Sequence, residues 1–121
     1  MTLTVLVVTA AFFLGMGVYA LAAPARMIGV FGIALPERTS RSEVRAVYGG
    51  FGCAIAGVLA FAAVDSSPRS GIMLTVGLAL GGMAVGRLMS AAIEGRIPFY
   101  PNWFYFLVET VAATALLLTS S

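Results

Sequence analysis

Four side chains in this sequence carry chemistry beyond filling space: Arg45, Tyr48, Arg87 and Glu109. Each stands in, or at the mouth of, a run that is otherwise apolar. Arg87 and Glu109 have opposite signs, and Ser90 follows Arg87 within one helical turn. An arginine and a carboxylate brought together away from water form a strong, geometrically specific pair. The same arginines could instead bind an anionic head group, carboxylate or phosphate, with apolar walls holding a tail. Membrane acids also serve as proton carriers. An arginine at the same depth argues against that use of Glu109, because the cation favours the charged carboxylate.

Other chemistry has little to work with. Histidine is absent, which removes the commonest general base and the commonest transition-metal ligand. Cys53 is the only cysteine, so no intrachain disulfide forms, and neither it nor the serines have an imidazole to activate them. No glycine-rich phosphate loop follows a strand pattern. Met73, Met83 and Met89 share one segment, but without histidine or further cysteine they fill packing gaps. No catalytic residue, cofactor or metal is therefore expected. An enzyme working with arginine, glutamate and tyrosine alone ranks below a binding or structural role.

The elements that must position these residues follow from composition. The chain has 121 residues, 60% hydrophobic and 10% charged, with a mean hydropathy of +1.02. A water-soluble domain carries about 25% charged residues, and disordered chains are poor in apolar ones, so both classes are excluded. The charges are seven arginines, no lysine and five acids, for a net charge of +2. They are scattered rather than clustered, so nucleic acid is not an expected partner.

A membrane crossing needs about 20 mainly apolar residues. Four segments meet or approach that length, over about residues 3–23, 44–64, 71–93 and 103–119. All four are expected to be helices, because a lone strand would leave its backbone unpaired in lipid. Ala20-Leu21-Ala22 resembles a signal-peptide cleavage site. No positive charge precedes that apolar run, however, and it exceeds the usual length, so it reads as a span. The expected fold is all-α, a single integral membrane bundle of four transmembrane helices.

Three connectors join the spans. Residues 24–43 are long and mixed, with the apolar stretch from Met27 to Ile33 expected as a short helix lying in the interface. Residues 65–70 form a tight polar turn. Residues 94–102 contain Pro98 and Pro101, which end the third helix and delay the fourth, beside the interfacial aromatics Phe99, Tyr100, Trp103 and Tyr105. The two longer connectors share one side and carry Arg26, Arg38, Arg41 and Arg96, against Arg69 alone on the other. An excess of arginine marks the cytoplasmic side, which places both termini outside.

Arg87 lies about six residues before the third helix ends, and Glu109 about six after the fourth begins. At 1.5 Å per residue both are ~9 Å inside the same membrane face. A charge at depth costs at least ~2–3 kcal/mol, so each needs a partner, and consecutive helices of a hairpin bring these two side by side. The second helix enters from that face with Glu43, Arg45 and Tyr48, and Asn102 and Glu94 close the connector above.

Glycine is abundant, at 14. Gly49, Cys53 and Gly57 recur every four residues, as do Gly52, Ala56 and Ala60. The third span has Gly77 and Gly81, then Gly82, Gly86 and Ser90. Such rows let helix backbones approach closely, within one chain or between copies in a homo-oligomer.

Together, Arg45-Ala-Val-Tyr48-Gly49-Gly50-Phe-Gly52, Gly86-Arg87-Leu-Met-Ser90 with Glu94-Gly95, and Glu109 after an aromatic run resemble the bacterial membrane proteins grouped as domain of unknown function 4345. The likeness covers nearly the whole chain. It implies a four-helix protein of a bacterial cytoplasmic membrane and draws attention to Arg45, Tyr48, Arg87 and Glu109. It carries over no reaction. Family members often have Asp where this chain has Glu94. Small multidrug transporters share this size, but their first helix carries an essential Glu, and here the first helix has no acid.

The functional expectation is a polar cluster of Arg45, Tyr48, Arg87, Ser90 and Glu109 at one membrane face. It would bind, and in a transporter carry, an anionic or amphipathic small molecule or a membrane lipid. The alternative is an accessory subunit of a larger membrane complex in which the cluster is a structural clasp, and a membrane-embedded enzyme comes third.

Overall fold

The computed structural model describes residues 1–120, and among them no strand occurs. Helix α1 covers Thr2–Ala22, and a short α2 covers Pro24–Gly29. The second long helix, Arg38–Val64, consists of α3 (Arg38–Val44), a π-helical turn over Arg45–Gly50, and α4 (Phe51–Val64). Helix α5 covers Arg69–Glu94. The last span, Phe99–Leu118, opens with a wide turn kinked at Tyr100 and continues as α6 (Phe104–Leu118). The four long helices are long and apolar enough to cross a membrane, so the chain is an all-α, multi-pass membrane protein.

The chain divides into two compact units, Val7–Phe61 and a second that joins Met1–Leu6 to the chain from Ala62 onward.

In the first unit, α1 and the second long helix meet at glycine. A Cβ on Gly17 would stand 2.8 Å from the Cys53 nitrogen and 2.9 Å from the Gly49 oxygen. A Cβ on Gly52 would stand 3.2 Å from the Gly17 Cα. Backbones this close leave no room for side chains, which is how small residues drive association in lipid. Gly49 and Cys53 thus serve the intrachain contact expected of their row, whereas a Cβ on Gly57 would meet nothing within 4 Å. The π-helical turn falls at this crossing, where the Phe51 amide reaches back to the Ala46 carbonyl.

Two expectations change here. The second long helix starts at Arg38, six residues before the apolar run, because helical hydrogen bonding does not stop where lipid stops. The short helix of the first connector covers Pro24–Gly29 rather than Met27–Ile33, and one side of it packs on the protein. Its Met27 and Ile28 are buried with Ala20 and Val44, and Met16, Phe31 and Leu35 pack against them.

In the second unit, Asp65 Oδ1 accepts the Ser67 amide at 2.9 Å and shapes the polar turn. Arg69 then donates from Nε to the Ala62 carbonyl at 2.7 Å and from Nη2 to the Ala63 carbonyl at 3.2 Å. These carbonyls belong to the last turn of α4, which has no intrahelical donors left and carries the negative end of the helix dipole. Replacing Arg69 by glutamine is expected to lower stability by about 1 kcal/mol in detergent unfolding, with lysine recovering part of it. Equal stability of all three would mean that solvent satisfies those carbonyls unaided.

Helix α5 buries Met73, Val76, Gly77, Leu80 and Ala84, a single face at helical spacing. A Cβ on Gly77 would stand 3.0 Å from Leu117 Cδ2 and 3.4 Å from Leu116 Cβ, so α5 and α6 pack closely there. The buried residues of α6 are Glu109, Ala113 and Leu116, also one face. Gly95, at φ +85°, ends α5 and bonds its amide to the Ala91 carbonyl at 2.9 Å. This is a left-handed position that glycine takes without strain. Pro98 and Pro101 then keep the chain out of regular helix until Phe104.

Candidate polar site of the second hairpin

The two charges at matching depth meet. Arg87 donates from Nε to Glu109 Oε1 at 2.8 Å and from Nη2 to Oε2 at 3.0 Å. This is the two-pronged geometry in which a guanidinium fits a carboxylate best. The remaining terminal nitrogen, Nη1, points at Asn102 Oδ1 at 3.4 Å. The Tyr105 ring lies under the guanidinium, with 5.7 Å from the Arg87 Cζ to the ring centroid, close enough for cation–π attraction. The side chains of Arg87 and Glu109 are 21% and 5% exposed, so both charges are largely withdrawn from solvent and each depends on the other.

Local folding explains the arrangement. Asn102, Tyr105 and Glu109 are three and then four residues apart, so the start of the last span presents all three on one face. Arg87 sits two turns before the end of α5, and the close α5–α6 packing at Gly77 holds the two helices within reach of that face. The aromatic run adds a shell in which Tyr100 contacts Phe104 and Tyr105 at 5.7 and 6.4 Å between centroids. Trp103 stands edge-on to Phe106 at 5.5 Å.

Two polar atoms near this level have no hydrogen-bond partner although buried, Asn102 Nδ2 and Thr110 Oγ1. Buried donors of this kind are uncommon.

Of the residues expected to form the site, Arg87 and Glu109 are in direct contact. Ser90 lies exposed one turn beyond Arg87 and takes no part in the hydrogen bonds of the cluster. Arg45 and Tyr48 belong to the first unit. Arg45 donates from Nε to the Leu21 carbonyl at 2.9 Å, so it closes the C-terminal end of α1 much as Arg69 closes α4. Tyr48 is half-exposed within the π-helical turn. Asn102 and Tyr105 were not among the expected site residues. Their spacing to Glu109 is the sequence signal that places them with it.

Among the described residues, no group of His, Cys, Asp and Glu is arranged to hold a metal ion. A withdrawn guanidinium–carboxylate pair can fix the register of two helices, and the buried Asn102 Nδ2 is a donor that could meet an acceptor. No curated protein and no solved structure matches this chain. The family model described as a domain of unknown function, DUF4345, matches residues 1–120. By that match over nearly its whole length, the chain belongs to the DUF4345 family.

Proposed function

We propose that this chain is an accessory or self-associating protein of a bacterial cytoplasmic membrane, and that Arg87 and Glu109 act as a clasp holding its second hairpin in register. The observation that carries this reading is the saturation of the pair. Both oxygens of Glu109 and two nitrogens of Arg87 are bonded to one another, and the third nitrogen is directed at Asn102. An anionic ligand would have to displace a carboxylate already bound in the best available geometry. A second observation points the same way. Gly82, Gly86 and Ser90 are exposed, and a Cβ on either glycine would meet nothing within 4 Å. An exposed row of small residues suits the close approach of another transmembrane helix. The excess of arginine in residues 24–43 and 94–102 supports a cytoplasmic side for both connectors in this reading, with both termini outside.

The amphiphile-binding reading keeps one specific support, the buried Asn102 Nδ2 without an acceptor. An ester or phosphate oxygen would supply one.

A photocrosslinker at Gly86, activated in native membranes, separates these readings. The expected result is one discrete protein adduct, a second copy or another membrane protein, which Gly82→Leu abolishes. Crosslinking to lipid alone would overturn the packing role. Native mass spectrometry showing a co-purified amphiphile that Arg87→Ala loses would establish the binding role in its place.

A further inference from the structure

The connector between the first two spans is a built surface rather than a solvated loop. Pro24, Met27 and Ile28 of α2 are buried, and Met27 and Ile28 share a core with Ala20 and Val44. The chain reverses at Gly32, whose φ of +76° favours glycine. The Phe31 and Gly32 amides bond there to the Ile28 and Gly29 carbonyls at 3.0 and 2.9 Å. Arg41 Nη1 then pins the returning chain at the Leu35 carbonyl, 3.1 Å away. On this platform Val30 and Ile33 are 43% and 50% exposed, and Arg26 and Arg38 flank them, also exposed.

A connector between two membrane-spanning helices lies at the lipid boundary. Apolar side chains held outward there are favoured among acyl chains, and arginines beside them reach the head-group level. The charge is suitable. Residues 24–45 carry Arg26, Arg38, Arg41 and Arg45 against Glu37 and Glu43, that is 4 − 2 = +2. A phosphate oxygen is the acceptor that a guanidinium fork matches at that level. We propose that this connector is a binding surface for anionic phospholipid, with Val30 and Ile33 seated among acyl chains and Arg26 and Arg38 on the head-group phosphate. It concerns the first hairpin and is independent of the clasp.

The test titrates the full chain in detergent with phosphatidylglycerol or phosphatidylcholine and reads the lipid adducts by native mass spectrometry. The wild type is expected to bind phosphatidylglycerol about 25-fold more tightly than phosphatidylcholine, two arginines at about 1 kcal/mol each. Each arginine removed is expected to weaken that binding about five-fold, so Arg26→Gln/Arg38→Gln brings it close to the phosphatidylcholine value. Ile33→Ser weakens both lipids alike. Arg96→Gln, in the other hairpin, keeps the preference. Equal affinity for both lipids in the wild type overturns the proposal, as does a preference that survives the double substitution or falls equally with Arg96→Gln. All four substituted positions are exposed, and unchanged helicity by circular dichroism confirms that each variant is folded.

Discussion

Glu109→Leu destabilises the second hairpin by about 3 kcal/mol or more, and adding Arg87→Met restores most of the loss. The single substitution leaves the Arg87 guanidinium, whose side chain is only 21% exposed, without the carboxylate that takes two of its three nitrogens. An unpaired charge in that setting retains its desolvation penalty and loses the attraction that offset it. The double substitution removes the charge as well, and two flexible apolar side chains of similar length then fill the space. Breaking a withdrawn pair is costly, while replacing it whole is close to neutral, so the pattern across the three proteins diagnoses the clasp better than any single value. Unfolding in mixed micelles, followed by circular dichroism, reads the difference. A double variant as unstable as Glu109→Leu would show that Arg87 is held by something other than its partner, and the clasp would fail.

The physical character of each signal decides what could be read in advance. The third span was expected over residues 71–93 and is Arg69–Glu94, because apolar length and flanking polar turns fix a crossing closely. The pairing of Arg87 with Glu109 was readable for a related reason: depth from a helix end is a matter of counting, and lipid leaves charges few alternatives. Arg45 shows the opposite case. It carries the same charge as Arg87 and stands at the entry of its span, yet its partner is the Leu21 carbonyl, and a main-chain acceptor has no residue type to betray it. The π-helical turn at Arg45–Gly50 is a shift in hydrogen-bond register, with no distinctive residue pattern behind it. The glycine rows lie between these cases. Their four-residue spacing was plain, but which rows face a helix of the same chain depends on rotation about each helix axis. Gly17, a single glycine outside the rows singled out, is at the centre of the closest approach to main-chain atoms.

Gly17 gives the second test. Gly17→Ala is expected to destabilise the first hairpin by about 1–3 kcal/mol, the usual range for overpacking, even though alanine is the better helix former by about 1 kcal/mol. Gly15→Ala, two residues earlier with nothing within 4 Å of its Cβ, keeps the propensity gain without the clash and is neutral or stabilising. The two differ because of what the new methyl meets. At Gly49 it would meet Cγ and Cδ2 of Leu21 at 2.7 Å, which side-chain rotation can move, with the nearest main-chain atom, the Leu21 nitrogen, at 3.3 Å. At Gly17 it meets the Cys53 nitrogen and the Gly49 oxygen, and main-chain atoms move only with their helix. Relief therefore separates α1 from the second long helix, and the same movement draws the Arg45 guanidinium off the Leu21 carbonyl. Gly17→Ala and Arg45→Gln should consequently fail to add in a double-mutant cycle, since the first already sacrifices part of what the second removes. Strict additivity would mean that the glycine contact and the arginine cap act separately, and Gly17→Ala as stable as Gly15→Ala would mean that the backbones part without penalty.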